Sequence, residues 1–163
     1  MELSQLLPAE RLVPHRRRMR LIEFVKAPTR SSLHAEATVS EVWPLSGNGN
    51  VSSIICVELV AQAISALSTW RRGEGARPQI GLLVGIKEVD FYHSSIPVMT
   101  KLIIQIEELN QIGGYAVFKG KVKSDSVSFC EVIVQVLEPE KEDLSSIVEL
   151  QRINSHEKGN GGL

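Results

Sequence analysis

The chain has 163 residues, 43% of them apolar and 23% charged, with a formal net charge of −1. That length suits one compact domain, and so even a charge balance supplies no global field to draw the chain to nucleic acid or a membrane surface. No apolar run is long enough to span a bilayer, and "MELSQLLPAERLVPHRRRM" has acids early and no apolar signal core, so a cytoplasmic location is expected.

In chain order, "LSQLLP" reads as one helical turn with Ser4 as its N-cap, and "LVPHRRRM" as a basic connector. Residues 20–27 ("RLIEFVKA") and 31–40 ("SSLHAEATVS") are short, partly alternating and rich in apolar or β-branched side chains. With "PTR" between them they predict a hairpin. "PLSGNGN" (44–50) has loop chemistry, and Asn50 or Ser52 is placed to cap a helix beginning just after it. From residue 51 the apolar period becomes helical. Cys56, Val60, Ala63, Leu67 and Trp70 form a stripe, which Ile54, Ile55, Val57, Leu59, Ala61, Ile64 and Ala66 widen until most sides are covered. "RRGEGARP" ends the helix, with cations in the last turn and glycines beyond.

The remainder reads as strands. Residues 78–92 ("PQIGLLVGIKEVDFY") form one long or kinked strand, with Gly81 and Gly85 allowing close backbone approach. "SSIPVMT" is a turn. Residues 101–112 and 115–125 predict an antiparallel pair joined through Gly113–Gly114, and 127–139 the last strand. Cys56 and Cys130 fall in apolar segments of unlike type and read as buried free thiols. A helix too apolar for water and an antiparallel sheet of about six strands cover each other when the sheet curls around the helix. The order therefore predicts an α+β hot-dog fold over residues 1–139. A polar tail over 140–163 holds a short helix near 143–152 and ends in disorder. The sheet's open edge predicts pairing with a second chain.

Three stretches carry a resemblance. "VPHRRRMRLIEFV" resembles the opening of the β-hydroxyacyl-(acyl carrier protein) dehydratases, where a Pro-His-Arg segment leads into the first strand. "VELVAQAISAL" resembles their helix motif, an acid followed by an apolar pair and Ala-Gln-Ala. "GLLVGIKEVDFYHSSIPVMTKLIIQIE" resembles their following strands. The resemblance runs over roughly residues 3–138, and the chain is most similar to the dehydratase subfamily associated with aryl-polyene-type lipid clusters. It implies action on acyl thioesters in fatty-acid or polyketide-type lipid synthesis. The substrate would ride on the phosphopantetheine of an acyl carrier protein, with no further cofactor. The family's loop before the helix carries its catalytic His in a Gly-His-Phe-Pro-Gly motif; here "VWPLSGNGNVSSIICVE" has no His.

Removing water from a 3-hydroxyacyl thioester takes a base at C2 and an acid at the leaving hydroxyl. The resemblance puts Glu58 at the acid position and Gln62, one turn on, in support. Glu58, Gln62, Ser65 and Thr69 equally fit the one wet stripe of a buried helix. His15, in the Pro-His-Arg segment, and His93, at a strand end, are the candidate bases; His34 and His156 read as inert. Arg16, Arg17 and Arg18, with Arg20, are placed to dock an acidic carrier protein or its phosphopantetheine phosphate. Arg71, Arg72 and Arg77 form a second candidate group, and a solvated patch is the alternative for each. No His, Cys or acid spacing suits a metal. Three functions stay open: a dehydratase, as a homodimer or as a heterodimer in which another hot-dog protein brings the missing His; a non-catalytic hot-dog subunit; and a hot-dog thioesterase.

Overall fold

The computed structural model describes residues 6–79 and 81–138. In chain order its elements are β1 (Leu7–Pro8), 3-10 turns at Ala9–Arg11 and Arg17–Met19, β2 (Phe24–Lys26), β3 (Ser32–Thr38), β4 (Ser46–Gly47), β5 (Asn50–Ser52), α1 (Ile55–Arg71), β6 (Leu82–Phe91), β7 (Ser95–Pro97), β8 (Lys101–Ile112), β9 (Tyr115–Lys123) and β10 (Ser128–Leu137). Seven strands form one antiparallel sheet in the order β1-β2-β3-β8-β9-β10-β6, and β4-β5-β7 form a small second sheet. The helix packs on the middle of the large sheet, against β3, β8, β9 and β10. This is the predicted α+β hot-dog arrangement, with seven strands in place of about six.

The core follows the two apolar periods. Along β3, Leu33, Ala35 and Ala37 are buried and their neighbours face outward; along β10, Val132, Val134 and Val136 do the same, beyond the buried pair Phe129 and Cys130. Residues from Ile55 to Leu67 fill the space above them. Burying a Leu such as Leu59 or Leu67 contributes about 1.5–3 kcal/mol, so the helix is held by packing more than by propensity.

Several local expectations are corrected. Leu7–Pro8 is a strand paired with β2, not part of a helical turn, because Leu7 and Pro8 lie opposite Val25 and Phe24. Ser4 and the tail with its helix at 143–152 lie outside the described residues. Segment 44–50 is more than a loop. Asn48 and Gly49 both have positive φ (53° and 75°), which makes the turn of a tight hairpin between β4 and β5. Asn50 and Ser52 are therefore strand residues and cap nothing. The helix begins instead at Ile55, with Ile54 as an N-cap that makes no side-chain hydrogen bond, and the Cys56 N–H donates to the Ser53 carbonyl at 3.0 Å. "SIP" within the predicted turn pairs with β5 as β7.

Close approach of helix and sheet occurs at Gly120, not at Gly81 or Gly85. A Cβ on Gly120 would meet the Val60 methyls at 2.5 and 2.6 Å and the Val60 Cβ at 3.1 Å. At Gly81 the nearest atom is 3.9 Å away, and at Gly85 the obstruction is the end of the flexible Gln135 side chain. Both of those glycines stand on or beside the outer strand, where no helix presses. Val60 is β-branched and fully buried, so it has no alternative rotamer to adopt. Gly120→Ala is expected to destabilise the protein by about 1–3 kcal/mol. Adding Val60→Ala should recover part of that loss, and urea midpoints of the single and double variants measure both effects.

Candidate active site

The connector between the 3-10 turns is pinned at both ends. Ala9 and Val13 are fully buried before it, and Leu21 and Ile22 after it. Between them the Arg16 Nη1 donates to the carbonyls of Val13 (2.6 Å) and His15 (2.9 Å), and Arg17 takes a positive φ of 55°. The connector thereby turns across the beginning of α1 and presents His15 to it. His15 Nε2 stands 3.2 Å from Glu58 Oε1, with the two side chains 30% and 35% exposed. A ligand can therefore reach both. Glu58 is in the first turn of α1.

Gln62 fastens this arrangement. Its Oε1 accepts from the backbone N–H of Leu21 (2.9 Å) and Ile22 (3.4 Å). Its Nε2 donates to the Met19 carbonyl (2.6 Å) and to Glu58 Oε1 (2.8 Å). The side chain is fully buried, so the amide uses its donors and acceptor in a dry setting where each omission is costly. Thr69 is buried as well and bonds the Ser65 carbonyl. The spacing Glu58, Gln62, Ser65, Thr69 is thus not a wet stripe.

A cleft of about 350 Å³ opens beside the pair. Pro14, His15 and Glu58 line it together with apolar Ala61, Ile64, Leu83 and Val136 and polar Ser65, Ser68, Gln79 and Glu138. Two buried atoms there, His15 Nδ1 and Ser65 Oγ, have no hydrogen-bond partner among the described residues. The N–H groups of Cys56 and Val57 bond the carbonyls of Ser53 and Ile54, so they are not free to polarise a thioester.

The other candidates are dispersed. His93 is exposed, packs edge-on against Phe129 (5.5 Å between centroids) and does not line the Glu58 cleft. His34 is exposed on β3, and His156 lies outside the described residues. The arginines regroup. Arg17, Arg18 and Arg20 line a shallow hollow with Trp43, while Arg16 joins Arg11 and Arg77 around a different cleft near the end of α1. Arg71 turns inward to Glu108 (2.7 Å) and over Phe118. Cys56 and Cys130 are free and buried. Their mutual hydrogen bond, reinforced by burial, holds the Cys56 thiol far above the ordinary range, so it is inert as a nucleophile. Among the described residues no group of three His, Cys, Asp or Glu gathers to hold a metal. No helix there is long and apolar enough to cross a membrane.

A hot-dog frame is what solved structures share with this chain. A chain of the dehydratase heterocomplex ApeI:P from Xenorhabdus doucetiae matches at TM-score 0.79 and 25% identity, over 88% of this chain and 99% of that one. An uncharacterized protein from Pyrococcus horikoshii matches at TM-score 0.60 and 17% identity, over 83% and 96%. Thioesterase superfamily member 2 from Mus musculus matches at TM-score 0.52 and 14% identity, over 68% and 77%. The last two speak for the fold alone, and no curated protein matches in sequence. The ApeP-like model, which describes the ApeP dehydratase, matches residues 7–149, and the chain belongs to that family of dehydratase-like hot-dog proteins.

Gln62→Leu tests the fastening. It leaves the N–H groups of Leu21 and Ile22 buried without the Gln62 acceptor, and is expected to cost about 2–4 kcal/mol in a urea titration. A loss below about 0.5 kcal/mol, the size of an ordinary surface change, would show that the connector is held by other contacts.

Proposed function

We propose that the chain dehydrates 3-hydroxyacyl thioesters carried on the phosphopantetheine of an acyl carrier protein, in fatty-acid or polyketide-type lipid synthesis, with His15 and Glu58 as the reacting pair. The observation that supports this most is the 3.2 Å contact between His15 and Glu58 in the lining of a cleft, in a member of a dehydratase family. A neutral His15 takes the C2 proton, the electrons of that bond form the C2–C3 double bond, and the C3–oxygen bond breaks as Glu58 protonates the hydroxyl, releasing water. The products are a 2-enoyl thioester and water. His15 then holds a proton and Glu58 lacks one, and the contact between them is short enough to return it. Gln62 keeps the carboxyl in place. Proton transfer needs no bound cofactor, since phosphopantetheine arrives with the substrate.

In this reading the base comes from the chain's own connector, and the place left without a His by "PLSGNGN" needs none from elsewhere. A partner hot-dog chain retains a different role. The similar ApeI:P structure is a heterocomplex, and among the described residues β6 has an open edge bearing exposed Leu83, Val84, Ile86, Val89 and Phe91, which suits such a partner. Leu83 also lines the cleft, so a chain seated on β6, identical or homologous, would wall in the substrate. Arg17 and Arg18 with Arg20 form the surface that receives the acidic carrier protein.

The purified protein is expected to convert a 3-hydroxyacyl carrier-protein thioester to the 2-enoyl product. Glu58→Gln and His15→Ala should each lower turnover by roughly two to four powers of ten while leaving the circular dichroism unchanged. Full activity in His15→Ala, or activity gained only beside a His-bearing partner, would overturn the assignment of His15. Release of free acid in place of enoyl product would make the protein a thioesterase. Sedimentation at micromolar concentration should show a dimer or a larger assembly, and a clean 18.0 kDa monomer would count against an obligate partner on β6.

A further inference from the structure

The reacting pair cannot act as it rests. His15 Nε2 and Glu58 Oε1 stand 3.2 Å apart, which leaves no room for a substrate atom between them. To take the C2 proton, His15 Nε2 has to leave the carboxyl for the ligand, and each residue then depends on its other contacts. Glu58 keeps the bond from Gln62 Nε2 at 2.8 Å. His15 has fewer holders. Pro14 before it has no N–H to donate. Among the described residues the Pro14 carbonyl, the His15 N–H and His15 Nδ1 have no hydrogen-bond partner. What remains is Arg16. Its Nη1 donates to the carbonyl of Val13 at 2.6 Å and to that of His15 at 2.9 Å, so one nitrogen bridges both ends of the Pro14–His15 step. The anchors on either side are firm. Val13 is fully buried. The Arg16 carbonyl accepts from the Met19 N–H at 3.2 Å, and the Met19 carbonyl in turn accepts from Gln62 Nε2 at 2.6 Å. A line of hydrogen bonds thus runs from the buried amide of α1 through Met19 and Arg16 to His15.

We propose that Arg16 is a positioning residue for His15, holding its backbone in place while the ring leaves Glu58 and works on the substrate. This rests on the dehydratase reading of that pair. Arg16 is the first of three consecutive arginines, and the fold gives it a different task from the other two. Arg17 and Arg18 line the hollow beside Trp43, and Arg16 does not. A guanidinium suits the task. It stays charged at every working pH, and a single Nη carries two N–H groups, enough for two carbonyls at once. A charged donor also binds a carbonyl about twice as strongly as a neutral one. The next residue points the same way. Arg17 sits at φ 55°, a costly conformation for a side-chain-bearing residue, which persists only where the surrounding contacts over-determine it. Arg16 is itself exposed, so removing its side chain opens no cavity in the core. Its loss bears on where His15 stands more than on whether the chain folds.

Arg16→Ala should lower kcat about 10–100-fold, the loss that a small misplacement of a reacting group brings, and leave KM nearly as it was. The fall should be the same for a carrier-borne 3-hydroxyacyl thioester and for the N-acetylcysteamine thioester, which has no carrier to dock. Arg16→Lys keeps the charge, but its ammonium is one bond nearer the backbone and should recover only part of kcat. A loss confined to the carrier-borne substrate, a change in KM alone, or full recovery by lysine would overturn the proposal, since each would make Arg16 a docking charge. A second measurement needs no turnover, so it separates failure of this role from failure of the dehydratase reading. In Glu58→Ala, where the ring has already lost its carboxyl, the heteronuclear 15N NOE of the His15 amide should stay that of an ordered backbone. In Glu58→Ala/Arg16→Ala it should drop to that of a mobile loop, while the Leu21 and Ile22 amides keep their shifts. A His15 amide equally ordered in both variants would overturn the proposal whatever the activity of the unaltered protein.

Discussion

The buried amide of Gln62 is the contact on which the candidate site depends. An amide offers two donors and a carbonyl acceptor on one rigid plane. Gln62 spends them on three backbone groups of the connector and on Glu58. The connector has no regular structure to satisfy its own backbone between Met19 and Ile22, and it crosses a helix face that is otherwise apolar. Without such a partner its N–H and C=O groups would be buried unpaired. The same four bonds that solve this problem also set the distance between the segment carrying His15 and the helix carrying Glu58. Fold stability and site geometry are therefore coupled through one side chain.

The helix in turn depends on the sheet. With Ile55, Cys56, Leu59, Val60, Ala63, Ala66 and Leu67 all buried, α1 has little surface it could expose to water. The sheet covers it at close range only because β9 carries Gly120 where Val60 presses in. At the far end, Arg71 reaches Glu108 on β8 and the face of Phe118 on β9, tying the last turn to the sheet through charge and ring contact. At the near end, Cys56 meets Cys130 of β10. The first turn, which bears Glu58, is thus packed on one side and hydrogen-bonded on the other, which is how a half-exposed carboxylate is kept in one position.

The open side of the molecule has a different character. Among the described residues β6 pairs with β10 alone, through two register shifts, and exposes apolar side chains on both of its faces. A ten-residue edge of this kind invites another strand or chain. Because Gly81 and Leu83 also line the cleft, the least protected part of the sheet and the site's unwalled side coincide.

Much of this was readable from residue order. The helical period from Cys56 to Trp70, the hairpin over 20–40 and the strands at 101–112, 115–123 and 128–137 are local patterns, and local patterns report local structure. Glu58 and Gln62 were visible as polar residues in an apolar helix. Three things were not. Asn48–Gly49 carries the chemistry of a tight hairpin, but its flanks are too short to show alternation, so the second sheet was hidden. The partnership of His15 with Glu58 spans 43 residues and is made by a connector with no period at all. The arginines were grouped by adjacency in the chain, whereas the fold separates Arg16 from Arg17 and Arg18 and joins it to Arg77. The sequence by itself determined the elements and the polar residue placed among apolar ones, because periodicity and hydrophobicity act between near neighbours. Only the tertiary structure decided which His faces the carboxylate and which cations share a cleft, because those distances are set by the path of a connector that buried hydrogen bonds hold in place.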